Sequence, residues 1–231
     1  MQVLALIPAL LAFLYTVYKM VKDDHVFIRK SISLEQSFDI AFLSLISGAI
    51  FSRLLYQLFT YQYGDNILTS IVDFSTNGFS VTGAIIGGAI MIYLLCNYKK
   101  VPFGRFSDFI SFAFLYSLPL GIIGKALFTP VEGLLVLGLQ AILFIVVIVI
   151  FSQTVYPQFL SRSIKEGSVS LLFLISYSVI SMIAIVFTSI QQKFIFINIE
   201  FITLTIAFLV SSFFYIKQER LFMKKKRTLR I

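Results

Sequence analysis

The sequence predicts an all-α, polytopic integral membrane protein with seven transmembrane helices. Of its 231 residues, 58% are hydrophobic and 13% are charged, and the mean hydropathy is +0.94. The core of a soluble domain of this size does not require so many uninterrupted apolar segments. Seven apolar segments are candidates to cross a bilayer: residues 2–20, 37–59, 81–97, 109–127, 131–155, 168–190 and 194–216.

Short connections join these segments, without a linker, repeat or low-complexity stretch. Residues 1–217 are therefore expected to form one seven-helix domain, followed by a basic cytoplasmic tail over 218–231. The first segment has no basic stretch before it and no small-residue cleavage site after it, so it is expected to be a retained helix rather than a signal peptide. The segment 131–155 carries no polar cluster and is expected to face lipid.

The basic residues predict the orientation of the chain. All but three of the 19 Lys and Arg residues fall in connections that would share one face of the membrane; the exceptions are Arg53, Lys125 and Lys193. Because basic residues favour the inside, that face is predicted to be cytoplasmic, with the N-terminus outside the plasma membrane and the C-terminus within the cell. The net charge of +8 then serves to anchor the protein at the membrane and does not predict nucleic-acid binding.

The chain has one histidine, His25, and one cysteine, Cys96. An intramolecular disulfide is therefore excluded. His25 belongs to the first predicted cytoplasmic connection, so neither a histidine-bearing metal cluster nor an outward-facing Ser/His/Asp triad can be assembled. We expect no metal and no cofactor.

The third apolar segment is short. The 16 residues from Val81 to Cys96 would rise about 24 Å as a helix, which is less than the roughly 30 Å of a bilayer core. The preceding outward-facing loop, with the sequence NGFSV, is therefore predicted to dip inward to meet this helix. Irregular backbone at such depth persists only where protein or a wet cavity surrounds it, so the loop and helix start, with Ser80, Thr82 and Gly83, mark a candidate site.

Two of the three outlying cations add to this site. Arg53 lies about six residues, or roughly 9 Å, below the outer end of its helix, and Lys125 lies near the outer end of another. With Thr82 and Glu200 they share an outer-leaflet depth on four helices, which suits the phosphate of a lipid. The alternative is that Arg53 is paired internally or reaches the outer surface, or that Glu200 neutralises the cations. The two interpretations are compatible.

Three other patterns have structural interpretations. Gly83 and Gly87, like Ala84 and Gly88, are spaced to let two helix backbones approach closely. The stretch Ser33-Leu-Glu-Gln36 is a capping box for the second helix. Asp108 is expected to cap the start of the fourth helix.

The stretches NGFSVTGAIIGG, SDF and GIIGKA also resemble known motifs. The prolipoprotein diacylglyceryl transferase family carries GGxSFHGGLIGG, SDF and GRxGNF at the same mutual spacing, and a weaker likeness extends from about residue 34 to the last apolar segment. That family moves diacylglycerol from phosphatidylglycerol onto a cysteine of exported prolipoproteins. The resemblance implies the family fold, a phosphatidylglycerol-like lipid as partner, and prolipoprotein signal segments as a further partner.

Some family positions are kept and others differ. Arg53 falls on a family arginine and Tyr177 on the family tyrosine, while Lys125 replaces the signature asparagine. By this resemblance the catalytic candidates are Arg53, Lys125 and Tyr177. Resemblance and depth together give the substrate-binding candidates, which are Arg53, Ser80, Thr82, Gly83, Lys125 and Glu200.

The family histidine is replaced by Thr82, the signature arginine by Ile122 and the arginine of the sixth segment by Ser181. Three hypotheses follow. The protein is a diacylglyceryl transferase with altered residues, a non-catalytic descendant that binds phospholipid or signal segments, or an unrelated small-solute carrier. A carrier would place polar residues along a whole transmembrane path, whereas here they gather on the outer side.

Overall fold

The computed structural model describes residues 7–60, 78–127, 131–192 and 199–219. These residues are helical apart from short connections, and a π-helical turn, Phe151–Val155, links the sixth helix to the seventh. The helices are α1 Ile7–Lys22, α2 His25–Arg29, α3 Leu34–Thr60, α4 Val81–Tyr98, α5 Phe103–Ala126, α6 Val131–Ile150, α7 Tyr156–Leu160, α8 Ser168–Gln192 and α9 Ile199–Glu219.

The predicted fold class is confirmed. Among the described residues, six helical stretches are long and apolar enough to cross a membrane, with α6, the π-helical turn and α7 forming one of them. The first predicted segment appears as α1, of which 16 residues are described. Residues 1–6 and 220–231, the latter covering most of the predicted tail, lie outside the described residues.

Local sequence signals explain where several elements begin and change. The predicted capping box opens α3, with the Gln36 N–H donating to Ser33 Oγ at 3.1 Å and the Ser33 N–H donating to Gln36 Oε1 at 3.4 Å. The π-helical turn directly precedes Pro157, and the Tyr156 N–H donates to the Phe151 carbonyl. Proline has no N–H to donate and crowds the preceding turn, which accounts for the wider turn there.

The expected cap of the fourth helix is wrong. Helix α5 begins at Phe103, so Asp108 lies inside it rather than at its start. Asp108 instead accepts hydrogen bonds from the N–H groups of Gly167 and Ser170, at 2.7 and 2.9 Å, and so caps α8. Asp108 therefore does cap a helix, as expected, but the helix is α8 rather than its own. A capping carboxylate can come from a distant part of the chain.

Helix α5 forms the centre of the bundle and carries most of the core. Its buried aromatic side chains Phe106, Phe109 and Phe112 are fully enclosed. The helices α1, α6 and α8 pack around it, while α3 pairs with α4 and α8 pairs with α9. This enclosed apolar centre lies between the two ends of the bundle.

The connections predicted to share a face do meet at one end of the bundle, here called the basic end. Arg105 donates from Nε and Nη2 to Asp24 Oδ2 at 3.0 and 2.7 Å, and both side chains are buried. Lys99 forms an ion pair with Asp39 at 2.7 Å. The ends of α3 and α5 and the start of α4 form the opposite end, which contains Arg53. Which end faces the cytoplasm remains a prediction from the charge bias.

Candidate functional site

Glycine residues allow the start of α4 to pack closely against α3. A Cβ on Gly83 would lie 2.5 Å from the Phe51 carbonyl oxygen, and one on Gly87 would lie 2.4 Å from Phe51 Cβ. Ser47 also donates to the Gly87 carbonyl at 3.0 Å. The predicted role of this small-residue pattern in close helix packing is confirmed.

The described part of the loop lies well below the end of α3. The Ser80 N–H donates to the Ser52 carbonyl at 3.1 Å. Ser52 is eight residues before Thr60, the last residue of α3, which corresponds to about 12 Å along a helix axis. The three described loop residues before α4 therefore follow the predicted inward course, and residues 61–77 lie outside the described part of the chain.

Among the described residues, Arg53 is the largest side chain that is almost fully buried, with 1% of its surface exposed. Its Nη1 donates to the Gly78 carbonyl at 2.7 Å. The guanidinium carbon lies 6.0 and 5.7 Å from the ring centroids of Tyr56 and Phe79. A Cβ on Gly78 would fall 1.9 Å from the Tyr56 ring, so a larger residue here would require that ring to move. Arg53 thus holds the loop onto α3.

Ser80 caps α4 beside this arginine. Its Oγ accepts a hydrogen bond from the Gly83 N–H at 3.3 Å. The first turn of a helix presents unsatisfied N–H groups and the positive end of the helix dipole. The Arg53 guanidinium, bonded to the carbonyl two residues before Ser80, and the start of α4 are therefore two neighbouring sources of positive potential.

Thr82 and Tyr177 bring α4 to α8. Their hydroxyl oxygens lie 3.2 Å apart, and both side chains are buried. The Tyr177 ring stacks between Phe144 and Phe173, with centroid distances of 6.3 and 6.2 Å. Phe144 belongs to the segment that was expected to contact only lipid, so that expectation is wrong at this position.

Two buried serine hydroxyls lie on α8 near the position of Tyr177 in the sequence. Ser178 and Ser181 are both buried, and neither Oγ has a hydrogen-bond partner within the described residues. The Ser181 hydroxyl is near enough to Tyr177 to interact with it, although the geometry of a hydrogen bond is not reached. Buried hydroxyls normally find a partner, so this part of α8 can accept a further polar group.

Lys125 and Glu200 form the outer part of the arrangement. Glu200, in the first turn of α9, interacts electrostatically with Lys125 at the end of α5 and with Tyr177. Lys125 is exposed and Glu200 is partly buried. The interpretation that Glu200 offsets a cation is therefore supported for Lys125.

The candidate residues thus fall into two neighbouring groups joined by α4. Ser80 and Gly83 lie with Arg53 against α3, while Thr82 contacts Tyr177, which is linked through electrostatics to Glu200 and Lys125. A single cavity shared by Arg53 and Lys125 stays a prediction. Within the described residues, no group of three His, Cys, Asp or Glu side chains is arranged to hold a metal ion.

Comparison with known proteins assigns the family. The model of the family "Prolipoprotein diacylglyceryl transferase" matches residues 3–129, which is more than half of the chain. The chain belongs to this family. Two curated phosphatidylglycerol–prolipoprotein diacylglyceryl transferases are similar to it, one from Pediococcus pentosaceus at 29% identity and one from Streptococcus uberis at 28%, each over 83 residues. No solved structure matches.

The chain matches only about a third of the length of these two prolipoprotein diacylglyceryl transferases. The aligned segment is 36% of this chain and 30% and 32% of the two relatives. Family membership is therefore assigned over the first half of the chain, which contains Arg53, Ser80 and Thr82. Tyr177 and Glu200 lie beyond the residues matched by the family model.

Sequence reasoning missed the aromatic surroundings of the site. Tyr56 and Phe79 flank Arg53, and Phe144 stacks on Tyr177. One signal was available, because Tyr56 follows Arg53 by three residues and so shares its helix face. Nothing local in the sequence indicates the Phe144 contact, which joins two helices.

Proposed function

We propose that this family member binds the phosphate of a phosphatidylglycerol-type lipid between α3, α4 and α5, at the outer leaflet. The observation that carries the proposal is Arg53, buried beside the capped start of α4. A guanidinium has five N–H donors and suits a phosphate through two parallel hydrogen bonds. Helix N-termini favour the same kind of ligand.

Lys125 supplies a second positive charge to this lipid. It is exposed at the end of α5, where a headgroup can reach it, and its partner Glu200 is a side chain that a phosphate could displace. Lysine acts as a point charge and lacks the fork of arginine. We therefore assign headgroup binding to Arg53 and attraction of the lipid to Lys125.

The hydroxyl groups of Thr82 and Tyr177, with those of Ser178 and Ser181, are proposed to meet the glycerol and ester oxygens of the lipid. These groups are neutral donors and acceptors that lie deeper than Lys125. The two serine hydroxyls without partners within the described residues gain one when a lipid oxygen enters. This part of the site suits any glycerolipid, while Arg53 selects those with an anionic headgroup.

Transfer of the diacylglyceryl group is proposed to be weak or absent, which would make the protein a possible pseudoenzyme. Attack by a cysteine thiolate on the glycerol carbon needs a proton acceptor and stabilisation of the departing glycerol phosphate. Thr82 stays protonated near neutral pH, Ile122 packs among apolar side chains, and Ser181 carries no charge. Loss of these groups commonly costs several kcal/mol, or about three to five orders of magnitude in rate.

An active transferase is the second candidate. The observation that favours it is Tyr177, which occupies the family tyrosine position and is held by Thr82 and two aromatic rings. In that case Arg53 and Lys125 would stabilise the departing phosphate and Tyr177 would donate or accept the proton. A small-solute carrier is disfavoured by the enclosed aromatic side chains Phe109 and Phe112 at the bundle centre.

Two measurements on the purified full chain test the proposal. Binding of phosphatidylglycerol and of phosphatidylcholine is compared for the protein and for the Arg53→Gln, Lys125→Gln variant. We expect the variant to lose about tenfold or more of its phosphatidylglycerol affinity and to keep its phosphatidylcholine affinity. Equal affinity of the two proteins for phosphatidylglycerol would reject this site.

The second measurement follows a labelled diacylglyceryl group from phosphatidylglycerol to a peptide that carries a prolipoprotein signal segment. Binding of the lipid and the peptide without transfer supports the non-catalytic descendant. Transfer at a rate similar to that of an established family transferase supports the active enzyme instead.

A further inference from the structure

A cleft at the basic end lies apart from the site described above. Its volume is about 440 Å³, and it is lined by His25, Val26, Arg29, Lys30 and Arg162. Three of these five side chains are Arg or Lys, and no Asp or Glu from the described residues lines the cleft. The cleft is formed between α2 and the turn that follows α7.

The two walls of the cleft are fixed to one another by a buried contact. Asp24 caps α2 by accepting from the Val26 and Phe27 N–H groups, and it is paired with Arg105. The Arg105 guanidinium in turn lies 3.8 Å from the ring centroid of Phe159 in α7. The cleft therefore exists before any ligand binds, which lowers the cost of binding.

The same contact engages one of the two acidic residues that precede the cleft in sequence, while the other, Asp23, is exposed and does not line the cleft. Asp24 is the acidic residue next to His25, but its carboxylate is buried and engaged with Arg105. Arg29, Lys30 and Arg162 are exposed. Arg162 has φ of +57°, a left-handed conformation that is uncommon for arginine and that ends α7 at the cleft.

Exposed apolar side chains lie close in sequence to the cations of this cleft. Ile28 precedes Arg29 and is 62% exposed, and Leu160 lies two residues before Arg162 and is 59% exposed. In a membrane protein such residues next to Arg and Lys mark the level where hydrocarbon meets the polar headgroups. This arrangement of apolar and basic side chains suits the level of the lipid headgroups.

We propose that this cleft binds the phosphate headgroup of an anionic phospholipid from the leaflet at the basic end, with Arg29, Lys30 and Arg162 as its ligands. The exposed Ile28 and Leu160 contact the upper part of the acyl chains. This phospholipid binds at the basic end of the bundle and is distinct from the lipid proposed for the site around Arg53.

The experiment compares two variants that lose the same charge at the same end of the bundle. The cleft variant is Arg29→Gln, Lys30→Gln, Arg162→Gln, and the matched control is Lys19→Gln, Lys22→Gln, Lys100→Gln. Lys19, Lys22 and Lys100 are exposed and do not line the cleft. Both carry Arg53→Gln and Lys125→Gln as well, so that lipid bound at the site around Arg53 does not contribute.

Phosphatidylglycerol is titrated into the purified full chain in a zwitterionic detergent. We expect the cleft variant to lose at least about tenfold in affinity and the control less than about threefold, because only the three cleft cations converge on one phosphate. An equal loss in both variants, or no loss in the cleft variant, would overturn the proposal. Conservative replacement by Arg29→Lys and Arg162→Lys should keep the affinity, and a tenfold loss there would also count against it.

Soluble glycerol phosphate distinguishes a lipid from a free phosphate compound. It carries the same headgroup chemistry without acyl chains. We expect it to compete only at concentrations about a hundredfold above those of the lipid, because burial of chain methylenes adds to the binding free energy. Competition by glycerol phosphate at equal concentrations would assign the cleft to a free phosphate compound and overturn the lipid proposal.

Discussion

The hydroxyl groups of Thr82 and Tyr177 lie 3.2 Å apart and join the first turn of α4 to the middle of α8. The sequence resemblance described above places these positions on a histidine and a tyrosine of the family pattern. Replacement of the histidine by threonine therefore keeps a hydrogen-bonding contact with the tyrosine but loses a side chain that can exchange a proton near neutral pH. The hydrogen-bonding contact of this pair can therefore persist without its capacity for proton transfer.

The first prediction measures this contact by a double-mutant cycle. Thr82→Val and Tyr177→Phe should each destabilise the fold by about 0.5–1.5 kcal/mol, because each leaves the other buried hydroxyl without its partner. The double variant should cost less than the sum of the two single variants. Unfolding in mixed micelles gives the free energies, and strictly additive effects would show that the two hydroxyls do not interact.

The second prediction concerns the close packing of α3 and α4. Gly83→Ala should destabilise the protein by about 1–3 kcal/mol, because the new methyl group meets the backbone of α3, which cannot move aside. Gly138→Ala in α6 is the matched control, since nothing lies within 4 Å of its Cβ position.

The control should be neutral or stabilise the protein by up to about 1 kcal/mol, as alanine favours helix over glycine. Thermal unfolding of both variants in the same detergent makes the comparison. A similar effect of the two substitutions would mean that helix propensity, and not the α3–α4 contact, governs Gly83.

The fold could be read from the sequence where the signal is local. Apolar length gave the membrane helices, and Ser33 with Gln36 gave the start of α3, since helix formation and capping depend on neighbouring residues. Gly83 indicated close packing but not its partner. Asp108 was assigned to the wrong helix because a carboxylate at such a position can cap its own helix or a distant one, and the local pattern is the same.

The site was read less completely than the fold. Depth along the helices placed Lys125 and Glu200 near the same end, and the two side chains interact electrostatically in the structure. The contact of Thr82 with Tyr177 needs the relative rotation of α4 and α8, which no local pattern encodes. The stacking of Phe144 on Tyr177 depends on that rotation as well.

The third prediction concerns the buried ion pair at the basic end. Asp24→Asn keeps an oxygen to cap α2 but leaves the buried Arg105 guanidinium without its counter-charge, which should destabilise the protein by about 3–5 kcal/mol. Asp39→Asn, which breaks the more exposed pair with Lys99, should cost less than about 1 kcal/mol. Unfolding in detergent measures both, and equal costs would contradict the difference assigned to burial.

The fourth prediction tests the orientation in the membrane. Single cysteines are introduced at Gly64 and Lys100 in a Cys96→Ser background. The charge bias predicts that an impermeant thiol reagent labels the first from outside intact cells and the second only after the membrane is opened. Labelling of both from the same side would reject the seven-helix topology, and the reverse pattern would invert it.

The last prediction concerns activity in cells. Transferase-depleted cells that express this protein should not recover growth, because the sequence resemblance places Thr82, Ile122 and Ser181 on a histidine and two arginines of the family pattern. None of the three accepts a proton at neutral pH or carries positive charge. His25 lies at the basic end of the bundle, away from Arg53, and Lys125 restores at most one of the lost charges.

The comparison requires equal amounts of this protein and of an established family transferase in the membrane, with lipidated prolipoprotein measured beside growth. Absence of lipidation together with phosphatidylglycerol binding by the purified chain agrees with a non-catalytic lipid-binding descendant. Full growth with lipidated prolipoprotein would contradict the prediction. The proton transfer would then belong to Tyr177, and stabilisation of the departing phosphate to Arg53 and Lys125, since these are the groups of suitable chemistry that the site retains.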